Sequence, residues 1–374
     1  MNVLFVTPSA VIPQNGGIER ITHSVSDALT DLYGYKCYFL NLTEDCEEKH
    51  IVQLLNEWQI NVVIAQGADK RISNLLPVIR LAIQQINHRV VLVFAYHINP
   101  GVELTQMDFG VLWNRIIHGS NLPSNCKQLG MQLLFPFIQR GMRRHLKHKY
   151  KLPYDMADKI VLLSPRFIPE YQYYSEGAKE KFTAIPNMLS FLPEQSVYES
   201  KKPMVLLVSR MEERQKRIKL ALKIWKRIPN NGWVLKIVGD GEDWEYYKRL
   251  AKKWQLNSIS FEGLQDPLPY YKSASVFLMT SAAEGWGLTI TEAQQCGCVP
   301  IAFDSYSAVH DIIQNGRNGY VVANNDIDEY VRVLKELMNN EPLREELAAN
   351  AQKDVLRFSR ENIAKQWKTL LENL

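Results

Sequence analysis

The sequence predicts an α/β protein with two parallel sheets, one in each half of the chain, and three observations carry that prediction. Short β-branched and apolar runs alternate with helix-patterned stretches, the arrangement that builds parallel sheets joined by crossover helices. The runs are apolar at nearly every position and bounded by turn residues, as strands buried on both faces must be. At 374 residues the chain exceeds one typical domain, so two of roughly 150–200 residues are expected.

In the first half the strand-like runs fall at 3–6, 37–40, 62–65, 90–95 and 160–163. In the second they fall at 205–208, 234–238, 258–261, 276–279 and 299–302. The stretch from Pro186 to Pro203 carries prolines, serines and charges without a sustained period, so the hinge is expected there. The expected organisation is a first domain at 1–187, a connector at 188–202, a second domain at 203–358 and a last helix at 359–374. That helix has Ile363, Trp367, Leu370 and Leu371 at helical spacing.

Composition narrows the class. A hydrophobic content of 46% with 22% charged residues is that of a globular protein. A formal charge of +4 gives no reason to expect nucleic acid as partner. Cys37, Cys46, Cys126, Cys296 and Cys298 form no Cys-x-x-Cys pair, so neither a disulfide framework nor a zinc site is indicated and a reduced, cytoplasmic compartment is expected. The first residues lack a basic leader, and no apolar run approaches the ~20 residues that a membrane helix needs.

The chemistry concentrates after the run at 276–279. There Glu284-Gly285-Trp286-Gly287-Leu288-Thr289-Ile290-Thr291-Glu292 passes from strand through two glycines into a helix-forming stretch. A helix N-terminus bared in this way attracts an anion, because its first N–H groups are unpaired and the helix dipole is positive there. Two carboxylates at the same place would repel phosphate, so they are read as holding hydroxyl groups. Phosphate and sugar hydroxyls on one platform describe a sugar nucleotide.

Glu284, Gly285, Gly287 and Glu292, followed by Gly297-Cys298-Val299-Pro300-Ile301, resemble the signature of the retaining glycosyltransferases of family 4. The resemblance covers nearly the whole chain. It implies the GT-B architecture, two Rossmann-like domains facing across a cleft, with a C-terminal helix that often crosses back to the first domain. It also implies that Glu284 meets sugar hydroxyls near the reacting centre and Glu292 meets the ribose. The amides of Gly285, Trp286, Gly287, Leu288 and Thr289 would hold phosphate and sugar.

Other segments match the same family. Gly16-Gly17-Ile18-Glu19-Arg20 resembles its Gly-Gly-x-Glu-Arg segment, whose amides face the donor's diphosphate and sugar. Two glycines also permit close approach and positive φ; the plainer reading is an ordinary β–α turn. Glu19 and Arg20 are read as holding the loop. His97, just past the run at 90–95, matches the histidine lying against the transferred sugar; the alternative is a packed histidine with a satisfied hydrogen bond. Arg210 and Lys216 resemble the family's cation pair, which steadies the departing diphosphate, although they also sit in a charge run with Glu212, Glu213, Arg214, Arg217 and Lys219. The match departs at Arg217, where glycine commonly follows the lysine. The turns at 238–241 and 261–265 resemble the segments flanking the base, with backbone near Gln265 in contact, or are ordinary glycine turns.

Two further signals are read conservatively. Asp326-Ile327-Asp328 spells a metal-binding Asp-x-Asp, but it precedes a helical stretch where aspartate is a routine cap, and no metal is expected. Residues 140–151 hold six Lys or Arg and no acid, after apolar Leu133, Leu134, Phe135, Phe137 and Ile138. The segment 133–151 reads equally as a peripheral membrane contact or as a solvated helix face.

Together these readings give a metal-independent retaining hexosyltransferase with no cofactor. It would move a sugar from a nucleotide donor, UDP favoured over GDP, to a glycan or lipid-linked glycan hydroxyl in polysaccharide assembly. A sugar-nucleotide epimerase and a non-catalytic nucleotide- or glycan-binding partner are the alternatives. The expected acceptor loops, 66–72 and 99–124, carry no readable motif.

Overall fold

The structure is a computed structural model describing residues 1–12, 16–67, 70–105, 135–191, 201–229 and 231–374, with the backbone alone at 104, 105 and 135–139. It divides into two compact units, Met1–Pro186 with Ile363–Leu374, and Asn187–Asn362.

The first unit is built on a six-stranded parallel sheet of order β2-β1-β3-β4-β5-β6. Its strands are β1 (Asn2–Thr7), β2 (Lys36–Asn41), β3 (Val62–Gly67), β4 (Val91–Tyr96), β5 (Lys159–Leu162) and β6 (Phe182–Ala184). β3 and β4 are buried at every position, which is why their sequences run apolar without alternation. The helix Gly17–Tyr33 turns Ile21, Val25, Ala28 and Leu29 inward, a stripe of helical period laid on the sheet. The last helix, Arg360–Glu372, belongs to this unit from Ile363 onward. It buries Ile363, Ala364, Trp367 and Leu371 and sets Lys368 over the Tyr33 ring at 5.3 Å.

The second unit repeats the plan with the order β12-β11-β10-β7-β8-β9, again parallel throughout. Its strands are β7 (Lys202–Val208), β8 (Val234–Val238), β9 (Ile259–Gly263), β10 (Ala274–Met279), β11 (Val299–Asp304) and β12 (Tyr320–Ala323). Val205, Leu207, Ile237, Val276, Leu278 and Ile301 meet Ile218, Leu222, Trp225, Tyr330 and Leu334 of the covering helices in one core.

The ten strands expected from sequence are present. β6 and β12 are additions, and both are short sheet edges with only one buried position each, which leaves no apolar run to read. The stretch expected as a connector is packed where it is described. Leu189 N–H donates to the Phe358 carbonyl, Phe191 lies 6.0 Å from the Tyr271 ring, and the Lys201 ammonium donates to the Tyr271 and Lys272 carbonyls. Residues 192–200 lie outside the described residues.

The basic segment lies on the helix Phe135–Met156. Lys147, Lys149 and Lys151 are paired with Glu176, Glu103 and Asp155, while Arg140, Arg143 and Arg144 are exposed. Leu133, Leu134 and the side chains of Phe135, Phe137 and Ile138 fall outside the described part. Among the described residues no helix is long and apolar enough to cross a membrane.

Candidate active site

In the second unit the chain enters at β7 in mid-sheet, builds outward through β8 and β9, then returns to the other flank of β7 with β10. Strand order therefore reverses between β7 and β10, and open α/β sheets bind ligands beyond the carboxyl ends of their strands at such a reversal. Lys216, past β7, and Glu284, past β10, meet here: Lys216 Nζ lies 2.6 Å from Glu284 Oε1, with the side chains 15% and 13% exposed.

The two loops are joined along their backbones as well. Ala282 N–H donates to the Gln215 carbonyl at 2.7 Å, Gln215 Nε2 to the Ala283 carbonyl at 3.2 Å, and Thr280 Oγ1 to the Lys216 carbonyl at 3.0 Å. Arg217 Nε and Nη2 each donate at 2.7 Å, to the carbonyls of Thr280 and Ser281, and Nη1 reaches Asn324 and Asn325 Oδ1 at 2.9 Å. Arg217 itself has φ 50 and ψ 42, the left-handed region. The departure from the family pattern thus has a physical reason. Glycine enters this conformation freely, and here an arginine does so while its guanidinium ties its own loop to the ends of β10 and β12. Burial lowers its pKa to about 10, which leaves it charged at neutral pH.

After Glu284 the chain turns through Gly287, whose φ of +102 suits glycine and whose added Cβ would stand 2.5 Å from the Tyr306 hydroxyl. The helix Leu288–Gln295 begins there. Its first bonds run from the N–H groups of Ile290 and Thr291 to the Gly287 carbonyl at 2.9 and 3.4 Å. The N–H groups of Leu288 and Thr289 precede those bonds and point out of the helix end, beside Glu284. Trp286 is 2% exposed and packs edge-on against Phe358, so its ring faces the unit's interior. Glu292 is 1% exposed, and its two oxygens accept from Ser190 Oγ at 2.7 Å and Tyr271 OH at 2.9 Å. A ribose would have to share or displace those hydroxyls.

Arg210 follows β7 with its side chain 73% exposed and its guanidinium 4.0 Å from Glu212. Of the two cations, Lys216 is the one in contact with Glu284. The turn after β8 presses against β7: a Cβ on Gly239, φ +129, would meet the Ser209 carbonyl at 2.0 Å, and Gly239 N–H donates to the Gly263 carbonyl at 2.8 Å. Gln265, beyond β9, is exposed. Asp326 caps the helix Ile327–Asn339, accepting from Glu329 N–H at 2.9 Å, while Asp328 pairs with Arg227 at 2.7 Å. Among the described residues no cluster of His, Cys, Asp and Glu could hold a metal ion.

In the first unit the order reverses between β1 and β3. Past β1, Gly16 and Gly17 open the helix Gly17–Tyr33, and neither has positive φ. The expected use of that freedom is corrected: Gly16 is extended, at φ 176, and a Cβ there would meet Glu19 Oε2 at 2.5 Å. Above Gly17 a Cβ would meet nothing within 4 Å. Glu19 accepts from the Ser9 hydroxyl, holding the loop whose residues 13–15 are outside the described part. Past β4, His97 Nε2 lies 2.6 Å from Gln66 Oε1 on β3, and burial lowers the imidazole pKa from 6.5 to about 4. Gln66 was expected only as the first residue of an acceptor loop, and the structure places it in β3; its signal is one amide near the end of the otherwise apolar run 62–67. Of the expected acceptor loops, 66–72 and 99–124, residues 68–69 and 106–124 are outside the described part.

Residues 190–354 match the sequence family described as glycosyl transferases group 1. A glycosyltransferase of Haemophilus influenzae, itself uncharacterised, is 30% identical over 58% of this chain and 61% of its own length. The amylovoran biosynthesis glycosyltransferase AmsD of Erwinia amylovora is 30% identical over 58% of this chain and 63% of its own. The chain thus spans less than two thirds of these curated relatives. The solved structure of Anabaena HepE in complex with UDP superposes over 100% of both chains with a TM-score of 0.73 and 18% identity. At that identity the likeness concerns the fold, and the fold is that of the GT-B glycosyltransferases.

Proposed function

We propose that this chain is a metal-independent retaining glycosyltransferase of family 4. It transfers a hexose-type sugar from a nucleotide donor, UDP favoured over GDP, to a hydroxyl of a glycan or lipid-linked glycan. The observation that carries the reading is the Lys216–Glu284 pair at the strand-order reversal, beside the N-terminus of the helix Leu288–Gln295. A nucleoside diphosphate gains negative charge as the glycosidic bond breaks. Lys216, Arg210 and the N–H groups of Leu288 and Thr289 would stabilise that charge more in the transition state than in the ground state. The departing phosphate oxygen would take the acceptor's proton, and Glu284 would meet hydroxyls of the sugar. HepE has been solved in complex with UDP and with UDP-glucose, and AmsD is named for amylovoran biosynthesis, which supports UDP and a polysaccharide setting here.

Thermal unfolding with UDP, GDP, ADP and CMP tests the donor site. A ligand at 100 times its Kd adds about 2.7 kcal/mol, enough for a shift of several degrees. Transfer from the matching sugar nucleotide should give product of retained anomeric configuration; an inverted product would overturn the mechanism. Membrane contact through 133–151 would rest on Arg140, Arg143 and Arg144, and salt-sensitive association with anionic vesicles is its test.

A further inference from the structure

Beside His97 lies a buried side chain whose amide nitrogen the described residues leave unbonded. Gln66 is 1% exposed, yet among the described residues its Nε2 has no hydrogen-bond partner. An unmade bond on a buried polar atom costs about 1–3 kcal/mol, so it asks for a ligand or an explanation. Gln66 is the last residue but one of β3, which neighbours β4, with Gln66 opposite Ala95. His97 follows β4 and is bonded to Gln66 at 2.6 Å.

The roles within the Gln66–His97 pair are complementary. With Gln66 Oε1 as acceptor, His97 Nε2 is the protonated nitrogen, and neutral imidazole then carries its lone pair on Nδ1. The pair therefore offers an amide donor, Gln66 Nε2, and an acceptor, His97 Nδ1. A phosphate, which only accepts, would face the Nδ1 lone pair. Sugar hydroxyls suit it, because each both donates and accepts.

We propose that Gln66 positions His97 for sugar hydroxyls: it fixes the tautomer that leaves Nδ1 as an acceptor and offers its own amide N–H beside it. This rests on the glycosyltransferase reading and deepens it. Gln66 is a positioning residue: it acts on His97 through one bond and on the sugar through its amide N–H. Loss of that bond frees the imidazole to take either tautomer. A carboxylate in its place would favour imidazolium and remove the Nδ1 lone pair.

The test uses the full chain labelled with ¹⁵N-histidine, with His97→Gln assigning the imidazole signals. Wild type should show His97 protonated at Nε2, and Gln66→Met should show mixed tautomers. Adding the sugar nucleotide that wild type turns over should shift the His97 signals, while the bare nucleoside diphosphate should not. In kinetics, Gln66→Met should lower kcat/KM at least 10-fold. Gln66→Glu, a near-isostere, should keep the fold while moving the acid limb of the pH profile upward. An Nδ1-protonated His97 in wild type, or unchanged tautomer and kinetics in Gln66→Met, overturns the proposal. Equal His97 shifts with the sugar nucleotide and the bare diphosphate overturn the sugar-hydroxyl site. Wild type that turns over no sugar nucleotide overturns the glycosyltransferase reading instead, and the tautomer measurement still decides the role of Gln66.

Discussion

Lys216 and Glu284, 68 residues apart, meet at 2.6 Å across the reversal of strand order in the second sheet. The contact is not a chance meeting of two flexible side chains. The loops that carry them are bonded to each other through Gln215, Thr280 and Arg217, so the ammonium and carboxylate are held within one rigid junction. A donor entering here would exchange the Lys216–Glu284 bond for two others, phosphate on the lysine and hydroxyl on the glutamate. Each group keeps the other's charge compensated until substrate arrives.

Removing either partner should therefore cost turnover and, by leaving one charge largely buried without its partner, some stability as well. Glu284→Ala is expected to lower kcat by about 10²–10³, the loss typical of one transition-state hydrogen-bonding group. Lys216→Ala should fall comparably, and the double variant should fall by less than the product of the two, since the groups act as a unit. Steady-state kinetics beside thermal unfolding checks this. Fully multiplicative losses would mean that the pair is not coupled.

Arg217 separates backbone from side chain. Arg217→Ala and Arg217→Gly both lose the guanidinium bonds, and bonds to a charged donor contribute about 1.5–3 kcal/mol each. Only alanine also bears the left-handed conformation, at about 1–2 kcal/mol. Both variants should be destabilised, with the glycine variant about 1 kcal/mol the more stable in urea unfolding. Arg217→Lys should resemble the truncations more than wild type, because an ammonium cannot reach carbonyls and amides on two strand ends at once.

What the sequence disclosed follows from the same physics. Buried parallel strands write themselves as apolar runs, so ten strands were readable, while β6 and β12, short edges with one buried position each, were not. Glu284 and Lys216 were readable because a motif marks them. Arg217 read as a departure, and only its φ of 50 explains why glycine suits that position. Gln66 carries no motif at all: its meaning lies in the pairing of β3 with β4, which brings it to His97 from 31 residues away. Glu292 matches its motif, yet its engagement by Ser190 and Tyr271 is visible only in three dimensions.

His97 should leave a mark on stability as well as catalysis. Its folded pKa, about 4, lies below the ordinary 6.5 because burial disfavours the imidazolium. Above pH 6.5 both folded and unfolded chains hold it neutral, and it contributes no slope. As pH falls from 6.5 to about 4 the unfolded chain takes up a proton that the folded chain refuses, so stability is lost across that window. His97→Gln should remove up to about 1.4 kcal/mol per pH unit from the slope of unfolding free energy between those limits. An unchanged slope in urea titrations at pH 4.5, 5.5 and 6.5, taken at about 0.1 M salt, would place the imidazole in a wetter setting than its lowered pKa implies.

Gly287 sets the angle at which the helix Leu288–Gln295 presents its N-terminus, and two separate obstacles bar any side chain there. One is the backbone, at φ +102; the other is the Tyr306 hydroxyl, 2.5 Å from where a Cβ would stand. Tyr306 is 3% exposed and donates to Met279 Sδ at 3.6 Å, so its ring cannot easily swing aside. Gly287→Ala should cost about 1–3 kcal/mol, the range for a residue held in a disfavoured backbone region. It should also lower turnover, because the N–H groups of Leu288 and Thr289 shift with the helix end. Adding Tyr306→Phe removes the clashing oxygen and leaves the backbone strain. The double variant should regain part of the stability and part of the turnover, with neither fully restored. Full restoration would assign the whole cost to the clash. No restoration would assign it to the backbone, and with it the requirement for glycine at the mouth of this helix.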